Sequence, residues 1–241
     1  MITKFWFVFA IAGSTTVWGG SPELPSSKGN WRQGAEHNEA AVLDYLLPVV
    51  YSSGKAVRIY YRGACRAGAQ DPVPFPAVKA QSPSKDKTGL AAVREIFQNE
   101  KNVIVTEEPA GIIRIRIGEV PTAILQTKLS SLTLDRLQQY NPRDAIAALE
   151  NTREMEMATR SLGMAEPVKL AGTVAEPQEN LPHLPAVIKD VTVEQALDLV
   201  AKTWAGEGIV IYGVCGDPVN KAGQKPFLID YHGAIVPKDE R

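Results

Sequence analysis

The chain has 241 residues, with 26 Lys and Arg against 27 Asp and Glu, a formal charge of −1 and 44% hydrophobic residues. That hydrophobic content supports a packed core and excludes a chain disordered throughout; the length suits one large domain or two small ones. The balanced charge supplies neither the clustered cations that nucleic acid demands nor a polybasic patch for anionic lipid, so neither partner is expected.

Residues 1–19 read as a secretory signal peptide. Lys4 gives the positive start, residues 5–13 are an unbroken apolar run, and Val17 and Gly19 occupy the −3 and −1 places of a cleavage site. The run is shorter than the roughly 20 residues that span a bilayer, and no Cys follows it for acylation. No later stretch is long and apolar enough to cross a membrane. The expectation is an exported, soluble protein, periplasmic or secreted; an uncleaved N-terminal anchor is the alternative. Cys65 and Cys215 are the only cysteines. In an oxidising compartment such a pair tends to bridge, closing a loop worth about 4–5 kcal/mol in the chain-entropy model. Two free thiols are the other reading.

Residues 20–34, rich in Pro, Ser and Gly, read as a lead-in in which Trp31 is an unexpected aromatic. Ala40, Leu43, Leu46, Leu47 and Val50 then share a helical face, and Pro48 is expected to end or kink that helix. Residues 56–61 alternate as a strand, followed by a loop with Cys65. From there one unit occurs twice. The first copy is a short strand at 75–80, a helix at 88–99 and a hairpin of 102–107 with 111–118. The second is a strand at 184–190, a helix at 192–205 and a hairpin of 208–214 with 226–232. In the second helix Val193, Ala196, Leu197, Val200, Ala201 and Trp204 have amphipathic spacing, and Thr192 with Gln195 makes a capping box. Between the copies, 120–134 leans toward strand. Asn141 and Pro142 open a long helix that Gly163 closes, and 165–182 is a linker with a strand-like run at 168–174. The fold class is therefore α+β: two small β-α-β-β modules, 35–135 and 165–235, with a linking helix at 142–163.

Candidate chemistry is sparse. Arg114 and Arg116 alternate with Ile113, Ile115 and Ile117, giving that strand one apolar and one basic face. With Arg58 they form a candidate cationic strip for an acidic partner. The other reading is the ordinary solvent face of a half-buried strand, with Glu107 and Glu108 pairing across the hairpin. Nucleophile elbows, phosphate loops and zinc-protease motifs are absent from the sequence. His37, His183 and His232 lack metal-ligand spacing, so no catalytic residue, metal or cofactor is expected. Asp230 and His232 share a strand face and carry the alternative reading, a hydrolase. Tyr60, Tyr61, Trp204, Tyr212 and Phe227 would line the pocket of a small-molecule or glycan binder.

The stretch 184–214, LPAVIKDVTVEQALDLVAKTWAGEGIVIYGV, resembles the short N-terminal module of secretins and TonB-dependent receptors. The match falls on Lys189, Asp190, Val191, Val193, Glu194, Ala196, Leu197, Ala201 and Lys202. Residues 90–118 are similar in kind. The resemblance covers about a third of the chain and implies a periplasmic protein–protein docking unit without catalytic residues. No barrel, plug or ring segment accompanies it, so pore formation is not implied. The function expected is a non-enzymatic adaptor with an envelope protein partner.

Overall fold

The computed structural model describes residues 36–66, 73–165, 181–218 and 223–233. In chain order they form helix α1 (Glu36–Ser53), strand β1 (Ala56–Gly63), helix α2 (Gly89–Ile96) and the hairpin β2 (Val103–Glu107) and β3 (Ile112–Ile117). Strand β4 (Lys128–Thr133) and three short helices follow: α3 (Arg136–Tyr140), α4 (Pro142–Glu150) and α5 (Arg153–Ser161). The chain ends with β5 (Val187–Thr192), α6 (Val193–Thr203), β6 (Gly208–Cys215) and β7 (Phe227–Gly233).

The fold is α+β, and its main sheet is mixed, in the order β2-β3-β1-β6-β7. β1 pairs in parallel with β3 and with β6, while the outer strands pair antiparallel. The two hairpins that the sequence assigns to separate modules thus flank one shared strand. Strand alternation divides the buried residues into two cores. Val57, Ile59, Ile113, Ile115, Ile209 and Ile211 pack with α1 and α2. Tyr60, Ile112, Val210, Tyr212 and Ile229 pack with α4 and α6. β4 and β5 form a separate two-stranded sheet, whose Leu129, Leu132 and Ile188 join the α6 core.

Helix α6 follows its sequence closely. Gln195 N–H donates to the Thr192 hydroxyl at 3.2 Å, and Thr192 N–H donates to the Gln195 side chain at 2.8 Å. All six of its predicted apolar residues are buried. Other expectations are corrected. α1 does not end at Pro48 but runs through it to Ser53. Pro48 is exposed, as is Asp44 one turn earlier, so water can serve the carbonyl that loses its partner, while Val42, Leu46 and Val50 hold the helix down. Residues 75–80 form no strand; Pro74 and Pro76 remove ladder donors, and the segment instead buries Phe75 and Val78. The long linking helix is broken. Asn141 caps α4 as expected, accepting from the N–H groups of Arg143 and Asp144. A second cap, Thr152 accepting from Met155 N–H, starts α5 anew. Residues 120–127 hold a 3-10 turn (Ala123–Gln126) before β4 begins. The signal peptide at 1–19, the lead-in, Trp31 and the run 168–174 lie outside the described residues, as does the side chain of His37.

Cys65 and Cys215 form a disulfide across 150 residues, with Cα atoms 5.7 Å apart. It ties the ends of β1 and β6 together, where Gly63 and Cys215 are register partners. A disulfide fits an exported protein, and no helix among the described residues is long and apolar enough to cross a membrane. Reduction is expected to lower stability by up to about 5 kcal/mol, a Tm fall on the order of 10 °C. Thermal unfolding with and without reductant measures it; an unchanged Tm would mean that the bond contributes nothing to holding β1 against β6.

Candidate functional site

Arg58 does not lie on a solvent face. Parallel neighbours flank β1 and helices cover both its faces, so the guanidinium at its centre is fully buried. The N-terminal half of α6 supplies its partners. Arg58 bonds to the Asp198 carboxylate, to the Glu194 carboxylate at 3.2 Å and to the Glu194 carbonyl at 3.1 Å. It also sits 4.6 Å from the centroid of the Tyr60 ring, a cation–π distance. Glu194 is the hub. Besides Arg58 it receives Arg114 at 2.8 Å, the Tyr60 hydroxyl at 3.2 Å and the Gln126 amide at 2.8 Å. Arg114, half-buried and in register with Arg58, is further paired to Glu108 at 2.6 Å. Glu107 turns instead to Lys55 at 3.0 Å.

Of the three arginines in the expected strip, two are therefore spent inside the molecule. The sequence sign of this is the pair Glu194 and Asp198, four residues apart on one side of an amphipathic helix. Carboxylates so placed need cations within the fold. Burial pulls the Arg58 guanidinium down to about 10, with the Arg114 charge adding to the effect and Glu194 and Glu108 opposing it; it stays charged at neutral pH. Two guanidiniums here face three carboxylates. Burial pushes one of these, Asp198, up to about 6, against the pull of Lys202.

Arg116 is exposed as expected. It forms no ion pair with the described residues, and it lines two adjoining clefts that share Ile104. One, of about 740 Å³, is bordered by Arg62, Lys101, Asn102, Gly118 and Glu119. The other, of about 320 Å³, reaches Tyr60, Thr106, Arg114 and Glu194. Both run along β2, which is an edge strand. The ladder ends in the bonds from Gly118 N–H to the Asn102 carbonyl and from Glu108 N–H to the Ile112 carbonyl. By antiparallel alternation the even-numbered residues of β2 face β3, and the backbone groups of Val105 and Glu107 face outward. Those groups meet no partner among the described residues. Ile104 is 46% exposed. The opposite edge is guarded: Arg143 Nε donates to the Tyr231 carbonyl at 2.9 Å and α4 packs against β7.

Asp230 and His232 do meet, at 2.8 Å, on the α1 side of β7, where the same ring nitrogen lies 3.4 Å from Glu39 and Arg143 lies 3.2 Å from Asp230. They line neither cleft described above. Tyr60, Tyr61, Trp204, Tyr212 and Phe227 are core residues, each at most 1% exposed. His183 stacks on Tyr140 at 4.8 Å. No cluster among the described residues is arranged to hold a metal ion. No protein-family model, curated protein or solved structure matches the chain. Its class is that of an α+β protein with a mixed five-stranded sheet, a second two-stranded sheet and one disulfide.

Arg58→Met is expected to cost about 3–5 kcal/mol by leaving the Asp198 carboxylate without its guanidinium and Glu194 with one cation fewer, whereas Arg116→Met should stay within about 0.5 kcal/mol. Urea unfolding of both variants tests the contrast; equal losses would refute the division of the strip into structural and free arginines. The Asp198 carboxyl is raised in the folded state above its ordinary value of 3.8. The folded form thus holds the extra proton, and the cost of ionising Asp198 grows as pH rises from about 4 through about 6. Asp198→Asn should gain on the wild type over that window. A relative loss instead would show that Arg58 stabilises the charged carboxylate more than burial penalises it.

Proposed function

We propose that the chain is an exported, soluble, non-enzymatic binding module of the bacterial envelope that docks a partner protein by adding a strand to β2. The observation that carries this reading is the open backbone of Val105 and Glu107 beside an exposed Ile104. Natural sheets commonly blunt such an edge with Pro, Lys or a covering element. β2 reads Val-Ile-Val-Thr-Glu, its first four residues β-branched and favourable for pairing, while β7 has its edge covered. The resemblance of residues 184–214 to secretin and TonB-receptor docking modules supports the same class of job, as does the disulfide for the compartment. The Asp230–His232 contact is read as structural: the Nε2 that a base would use faces two carboxylates, and the charged groups around it tie β7 to α1 and α4.

Val105→Pro removes an outward N–H without touching the β2–β3 ladder. With a photo-crosslinker at Glu107 in the native envelope, the wild type is expected to trap a defined protein and the folded Val105→Pro variant to lose it at least several-fold. Crosslinks that persist unchanged in the proline variant would sink strand addition at this edge.

A further inference from the structure

We infer that the segment docked on β2 is acidic, with carboxylate side chains on the α6 side of the sheet that pair with Arg116 and Lys101. This rests on the strand-addition reading above. An added strand keeps the pleat, so residues opposite Ile104 and Thr106 project to the same face as those two side chains. That face is where the two clefts open, and both are lined by Ile104 and Arg116. In β3 Arg116 is the register partner of Ile104, one strand further in.

The charges there are unbalanced. The larger cleft gathers Arg62, Lys101 and Arg116 against one acid, Glu119. Arg62 is engaged with Asp217 at 3.3 Å, whereas Arg116 and Lys101 pair with no described residue. For a chain whose net charge is −1, this is a local excess of cation beside the open edge of the main sheet. Deeper in, Arg58 and Arg114 are already neutralised by Glu194, Glu108 and Asp198. On this face of the sheet the unpaired cations thus lie at the rim that an incoming strand would cover. A basic segment would meet like charge there, which gives the edge discrimination as well as affinity.

The test uses the full mature protein and three synthetic ten-residue probes, alternating Val–Glu, Val–Ser and Val–Lys, with binding followed by fluorescence anisotropy at low salt. The wild type is expected to bind Val–Glu about three- to tenfold tighter than Val–Ser, with Val–Lys weakest, and added salt should compress the order. The double variant R116E/K101E should invert it. Val105→Pro should weaken all three probes together; Glu107→Pro, at the exposed end of the same edge, replaces it if that variant fails to fold. A flat order in the wild type, or one that survives R116E/K101E while the proline variant still loses binding, overturns the acidic preference and leaves strand addition standing. A charge order that the proline variants do not weaken overturns strand addition, and with it a docked acidic strand. Absence of binding by every probe, or self-association of the wild type that Val105→Pro abolishes, also overturns the inference; the second outcome makes β2 a seam between two copies of this chain.

Discussion

The structure turns on the position of β1. It is hydrogen-bonded on both sides by parallel neighbours and covered on both faces by helices. A cation placed at the centre of such a strand cannot reach water, so the fold must bring anions to it. Arg58 is that cation, and the acidic stretch of α6 answers it. The pairing sets which side of α6 faces the sheet and how far along β1 the helix sits. Arg114, Tyr60 and Gln126 then follow because they close on the same Glu194 carboxylate.

A centre so fully committed leaves recognition to the periphery. The two edges of the sheet are unequal. β7 is screened by α4 and by an arginine on its own carbonyl. β2 is short, β-branched and bordered by a cleft in which Arg116 and Lys101 pair with no described residue. The disulfide belongs to the same division of labour: it fastens the strand ends of β1 and β6 in the middle of the sheet and leaves β2 untouched.

Much of this was legible in the chain. The hairpins of β2–β3 and β6–β7, the amphipathic face of α6 and its capping box all rest on local rules: alternation, 3.6-residue spacing and side-chain caps. The misreadings were also local in origin. Pro48, expected to end or kink a helix, does not end it, because its ring faces solvent and Val49 and Val50 pack beneath the continuing turn. A single apolar stripe across 142–162 concealed the second cap at Thr152. Residues 75–80 had strand composition without the donors to join a ladder.

By itself the sequence determined the α+β class, the identity of most elements, the faces they bury and the cysteine pair available for bridging, because each depends on residues close in the chain or on simple chemistry. Only the tertiary structure decided that both hairpins share β1, that Arg58 and Arg114 are consumed internally while Arg116 stays free, and that β2 rather than β7 is the open edge. Strand order and charge pairing are set between residues as far apart as Arg58 and Asp198. Alternation shows only that a residue points to one face or the other; it carries no information on which helix, or how much water, will cover that face.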